Sequence, residues 1–187
     1  MACLFAAGVT THILLAAGLR SPTIRGRYAA ARELLADYRR IEFHEALLGL
    51  LGSAGISRRR ASEHLATLAE IFDAAKERIR TPFPFACDIS EAARPMAIEG
   101  SLELIRRGQH REAMFWIGVT QSRCQKVLSC DATENLTQHS YRELIGDLGL
   151  LTGAEMRGRY EAIKRMLPQV CEVAEEVIAA NREIEAD

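Results

Sequence analysis

Apolar residues recur at i, i+3, i+4 and i+7 along nearly the whole chain, and no alternating run sits beside hairpin turn residues. A chain patterned this way hides its apolar surface by packing helix on helix. We therefore expect an all-α fold, an antiparallel bundle of about seven to nine helices. Composition agrees: aromatics make up only 6% of the chain, and the dominant residues favour helices over sheets. With 48% hydrophobic residues and a net charge of −1, the 187 residues carry enough apolar surface to exclude disorder.

Glycine, proline and capping residues divide the pattern. The periodicity predicts helices over 3–18, closing at Gly18; over 23–38, after Ser21-Pro22; and over 41–53, running into the turn Gly52-Ser53-Ala54-Gly55. Ser57 then caps a longer helix to Ile79, with Ala61, Leu65, Leu68, Ile71, Phe72 and Ala75 as its buried stripe. Asp88 with Glu91 reads as a capping pair for a helix that Pro95 interrupts before Arg107. Residues 110–130 form the most apolar of the later helices. Ser140 with Glu143 reads as a capping box for a short helix to Leu150, and Thr152 with Glu155 as another, opening a helix to Leu167. Pro168 then restarts or kinks a terminal helix over 169–180.

Thr81-Pro82-Phe83-Pro84-Phe85 is read as an extended connection, because a residue before proline avoids the helical region. It separates a basic part, 1–80, with 12 basic and 8 acidic side chains, from a C-terminal bundle, 88–187, with the Pro-rich link at 81–87. Residues 81–187 hold 12 basic and 17 acidic side chains. Both parts are expected to form one unit.

From Met1 to Leu19 the chain has no charged side chain. No basic residue precedes the apolar part, and Thr10, Thr11 and His12 interrupt it, so the stretch reads as a core-facing or partner-facing helix rather than a signal peptide or membrane span. The expected compartment is the cytoplasm. The five cysteines are expected to be free thiols, and Cys124, Cys130 and His139 lack zinc spacing. The five histidines lack metal-pair spacing, and no phosphate-loop, nucleophile-elbow, zincin or dinucleotide fingerprint is present, so no metal site is expected.

Three patterns carry possible chemistry. Residues 44–68, centred on Gly55-Ile56-Ser57-Arg58-Arg59-Arg60, have the layout of a helix-turn-helix, with basic residues opening the second helix where they would meet DNA. An ordinary capped helix explains the same residues. Glu112, Trp116, Thr120 and Arg123 share helical spacing, and a carboxylate, an indole, a hydroxyl and a guanidinium on one face suit the orientation of a polar substrate, with Glu112 as a base. A core tryptophan flanked by surface ion pairs is the alternative. Arg27 and Tyr28, with Arg25 and Arg32 one heptad apart, form a third, anion-contacting or partner-contacting pattern, or a solvated helix face.

Three stretches together resemble the helical part of bacterial nucleotidyltransferase-like proteins: Ala6 to His12 running on through Arg27-Tyr28 and Arg32-Glu33-Leu34-Leu35; Arg111-Glu112-Ala113-Met114-Phe115-Trp116 through Ser122-Arg123-Cys124; and Tyr141 to Gly149. The last two are similar to the helical, substrate-binding domain of kanamycin-type aminoglycoside nucleotidyltransferases. In that family a Gly-Ser followed by Asp-x-Asp holds Mg²⁺ and the nucleoside triphosphate. Here Gly52-Ser53 and Gly100-Ser101 are not followed by Asp-x-Asp, so the catalytic half is missing. The resemblance implies an accessory module, not catalytic alone, with Trp116, Thr120, Arg123, Arg27 and Tyr28 toward the acceptor and Glu112 as the base. It implies no cofactor in this chain; a partner catalytic domain or subunit would hold Mg²⁺ and nucleotide. The apolar N-terminal helix would meet that partner or a second copy. A DNA-binding regulator and a purely structural helical oligomer are the other expectations.

Overall fold

In the computed structural model, which describes residues 1–82, 84–131 and 138–181, the elements are α1 (Ala2–Ala17), a 3-10 turn at Ile24–Gly26, α2 (Arg27–Asp37), α3 (Phe43–Leu51) and α4 (Arg58–Arg78). A second 3-10 turn at Ala86–Asp88 is followed by α5 (Arg94–Ala97), α6 (Glu99–Arg106), α7 (His110–Asp131), α8 (Gln138–Asp147) and α9 (Gly153–Ala180). The fold is all-α, and among the described residues there is no strand.

α7 is the axis of the bundle. Its apolar side chains Met114, Phe115, Ile117 and Val119 are fully buried, and α4 lies along it with the expected stripe of Ala61, Leu65, Leu68, Phe72 and Ala75 turned inward. Each large apolar side chain removed from water in this way stabilises the fold by about 1.5–3 kcal/mol before chain entropy is counted. One apolar cluster takes Leu34, Leu47 and Phe72 from before the Pro-rich link and Phe115, Leu148 and Val173 from after it, so the two parts share a core.

The uncharged α1 is a core helix. Leu4, Ala7, Leu14 and Leu15 are buried against α9, α2, α3 and α7, and its outward residues are Val9, His12 and Ala16. Its apolar surface is thus used mainly inside the chain.

Local chemistry sets several boundaries. The Ser57 hydroxyl accepts the Arg60 N–H at 3.1 Å to start α4. At α9 the Thr152 hydroxyl accepts the Glu155 N–H at 3.2 Å while the Glu155 carboxylate accepts the Thr152 N–H at 2.6 Å, a complete capping box. Gly52 ends α3 in the left-handed region, φ 92°.

Four expected boundaries are corrected. Asp88 with Glu91 caps no helix: Asp88 ends a 3-10 turn and pairs with Arg123, while the Ser90 hydroxyl accepts the Ala93 N–H at 3.3 Å. Pro95 does not interrupt the next helix but sits in the first turn of α5, where its missing N–H leaves no bond unmade; the break falls at Ile98. Ser140 lies inside α8, which begins at Gln138 and stops at Asp147, so Ser140 with Glu143 is no capping box. Pro168 lies within a continuous 28-residue α9. It sits on the exposed side, where water can satisfy the carbonyl it leaves free, while Ile163, Val170, Val173 and Val177 hold the inner face to the core. Phe83, read as part of the connection, lies outside the described residues. Among the described residues no helix is long and apolar enough to cross a membrane.

Candidate functional site

At 3.6 residues per turn, Glu112, Trp116, Thr120 and Arg123 fall within a sector of roughly 80° on α7. The grouping expected from spacing is therefore one stripe, and its two ends differ. At the first, Glu112 is 3% exposed and its carboxylate lies 3.9 Å from His44 Nε2 on α3. α3 is held there by Arg111, whose guanidinium donates to both Glu45 oxygens at 2.7 and 2.8 Å. Burial pushes the His44 imidazole below its ordinary value, against the opposite pull of Glu112 and a contact to the Tyr28 carbonyl at 3.3 Å. Glu112 thus faces a buried histidine.

At the far end Arg123 is 2% exposed. Its guanidinium lies 4.4 Å over the Phe85 ring and 5.3 Å over the Trp116 ring, and Nη1 donates to the Asp88 carboxylate. Burial pushes the guanidinium down, and Asp88 resists that. Such ring contacts stabilise a cation by about 0.5–2 kcal/mol, less where the ring is open to water as Phe85 is. Phe85 reaches this position because Asp131, the last residue of α7, accepts the backbone N–H groups of Arg80 and Thr81, both at 2.9 Å, and the Thr81 hydroxyl. Thr81 is thereby tied to the end of α7, and Phe85 lies over Arg123 as a half-open lid, 42% exposed.

Three buried polar atoms on the stripe have no hydrogen-bond partner among the described residues: Trp116 Nε1, Thr120 Oγ1 and Arg123 Nε. Leaving a buried donor unpaired costs about 1–3 kcal/mol. Other unpaired buried atoms are on Tyr28, Arg40 and Ser53, and on His110 and Gln121, which lie on α7 away from the stripe. On this stripe the three groups, all able to donate, fall on one face, and the third belongs to the Arg123 cation itself. Neither Glu112 nor Arg123 is in a surface ion pair.

Arg27 and Tyr28 lie elsewhere. The Arg27 guanidinium sits 5.2 Å over the Phe115 ring, on the neighbouring face of α7. Tyr28 is fully buried, its ring 5.5 Å from Phe115, and burial pushes its phenol up. The structure places this pair in the junction of α1, α2 and α7 rather than on an acceptor-facing surface.

The basic opening of α4 is largely engaged. Arg58 donates to the Arg106 carbonyl at 3.3 Å and Arg60 to Asp147 at 2.5 Å and to Glu63 at 3.3 Å, while Arg58 and Arg59 are exposed and Arg59 lies 3.6 Å from Glu63. Farther along, the outward side of α4 carries Glu63, Glu70, Asp73 and Glu77, a poor match to a phosphate backbone.

A second polar node was missed from sequence. Asp147 Oδ2 accepts from Arg60 and also contacts His64 Nε2 at 2.8 Å, beneath a shallow surface hollow of about 510 Å³ beside Gly55 and Ser57. Burial alone would raise the Asp147 carboxyl, but the Arg60 and His64 hydrogen bonds together hold it below the usual carboxylate range. The available signal was position: His64 falls three residues after Ala61 and four before Leu68, inside the buried stripe. Among the described residues no group of three or more His, Cys, Asp or Glu side chains is arranged to hold a metal ion.

No protein-family model matches the chain, and no curated protein or solved structure shows significant similarity to it.

Proposed function

We propose that this chain is a helical binding module that captures an oxygen-rich anion on the α7 stripe beneath Phe85. The observation that carries the reading is the trio of unpaired buried groups, Trp116 Nε1, Thr120 Oγ1 and Arg123 Nε, the last of them on a buried guanidinium. Two of these atoms are obligate donors, the third is a hydroxyl, and the charge beside them is positive; this set suits phosphate or carboxylate oxygens. A bound anion replaces Asp88 on Arg123 and satisfies donors that otherwise stay unpaired. Phe85 partly covers the site, and Asp88 is the group on Arg123 that an anion would displace.

In the nucleotidyl-transfer setting that the sequence resemblance implies, the anion is the acceptor, and a partner supplies Mg²⁺, the nucleoside triphosphate and the catalytic carboxylates. Glu112, shielded beside His44, then positions the inner end of the stripe rather than taking a proton. A donor-lined site favours an acceptor bearing phosphate or carboxylate over a polycationic aminoglycoside.

Calorimetry tests this reading. Orthophosphate or a sugar phosphate gives a saturable heat at one site per chain, Arg123→Met removes it, and an aminoglycoside gives none. Heats absent with every anion, or unchanged in Arg123→Met, overturn it.

A further inference from the structure

A separate cleft of about 660 Å³ opens at the other side of the bundle, within the size range of small-molecule sites. α8 turns Gln138, Tyr141, Arg142 and Ile145 toward it, at i, i+3, i+4 and i+7. Met156 and Tyr160 on α9, one turn apart, form the facing wall with Leu151, and the start of α1 contributes Met1 and Cys3.

Two properties set what fits. Met1, Leu151, Met156 and Tyr160 are among the chain's exposed large apolar side chains, and all four border this one cleft, so much of its lining is unburied apolar surface. Among the described residues Arg142 is the only charged side chain lining it and no carboxylate does; the Met1 α-ammonium is a second cation at the same cleft. The acidic neighbour Glu143 is directed away, its carboxylate 3.7 Å from Arg60. Arg142 itself is exposed and has no ion pair among the described residues. The apolar surface of Met1, Leu151, Met156 and Tyr160, with the Arg142 guanidinium and the Met1 ammonium bordering the same cleft, is complementary to an apolar body carrying one negative group.

We propose that this cleft is a second binding site, for a small amphipathic carboxylate such as a medium-chain fatty acid, with the apolar chain between α8 and α9 and the carboxylate on Arg142. The site shares no residue with the α7 stripe, so the two stand or fall separately.

The test is calorimetry on the full chain with decanoate, decanol and decyltrimethylammonium, each below its micellar concentration. Decanoate binds saturably at one site per chain; decanol binds about tenfold or more weaker, for want of the charge-assisted bond, and the ammonium compound not at all. Arg142→Gln lowers decanoate affinity about tenfold or more, and Leu151→Asp abolishes binding; both residues are exposed, and circular dichroism verifies that the variants are folded. Absence of decanoate binding overturns the proposal, as does equal binding of the ammonium compound. So does a dimer by light scattering that Leu151→Asp splits without any decanoate binding, since the cleft is then an interface between two copies.

Discussion

Gly52 and Leu148 meet so closely that a Cβ on Gly52 would lie 2.2 Å from the Leu148 carbonyl oxygen. Gly52 also holds φ at 92°, where an L side chain is strained. Because the obstacle is backbone, it cannot rotate aside. Gly52→Ala is expected to destabilise the fold by roughly 2–4 kcal/mol in urea unfolding. Gly49, three residues earlier on the exposed side of α3, has open space at its Cβ, and Gly49→Ala is expected to stabilise by about 0.5–1 kcal/mol.

The same junction depends on Arg159. Its guanidinium donates to the carbonyls of Gly49 at 3.1 Å, Leu50 at 2.6 Å and Leu148 at 2.9 Å, closing the C-terminal ends of α3 and α8 together. Arg159→Met leaves those carbonyls without the donor and should lower stability by about 2–4 kcal/mol. Arg159→Lys should recover only part of that, since one ammonium does not span both helix ends. Urea midpoints of the three proteins measure the ranking.

Stability should fall in acid in two stages. His44 is held below its ordinary value of 6.5, mainly by burial, so the unfolded chain binds this proton more readily. Its contribution is complete above about pH 6.5 and is lost as pH falls through the lower folded value. Asp147, held below its ordinary 3.8 as Asp73 and Asp131 also are, contributes fully above that pH and is lost with them as pH drops further. Urea midpoints from pH 8 to pH 3 should show both declines. His44→Gln should flatten the first and leave the second; a profile identical to that of the parent protein refutes the assignment.

Thr120→Val separates stability from binding. The unpaired hydroxyl is 2% exposed, and valine has nearly its shape, so the free protein should gain about 1 kcal/mol. Anion affinity should fall at the same time. A variant that is less stable and binds as before shows that the hydroxyl has a partner and no ligand role.

The engaged arginines of α4 give a fifth expectation. With Arg60 on Asp147 and Arg58 on the Arg106 carbonyl, duplex DNA should show no retardation in a gel-shift experiment at low salt. Steep, salt-dependent retardation lost in a triple variant of Arg58, Arg59 and Arg60 would restore the helix-turn-helix reading.

Local chemistry made much of this fold readable beforehand. Ser57, Thr152, Gly18 and Gly52 announce helix ends through bonds or torsions confined to a few neighbouring residues, and the α4 stripe follows from spacing alone. Asp88 misled because a capping signature is a local statement, whereas its partner, Arg123, lies 35 residues away. Pro168 misled because its tolerance depends on which side of α9 faces water. For the site, the stripe on α7 was readable from helical spacing. The lid was not, since Phe85 is placed by Asp131 at the far end of another helix, and Tyr28 was misplaced because an aromatic beside arginine gives no sign of burial.

Trp116 is the only tryptophan in the chain, so its emission reports on the stripe alone. Titration of the intact chain with a sugar phosphate, followed by tryptophan fluorescence, should give a saturable change that Arg123→Met eliminates and Phe85→Ala, by removing the lid, makes faster in onset. Emission that stays constant for every phosphate and carboxylate tried would contradict the assignment of α7 as a binding surface.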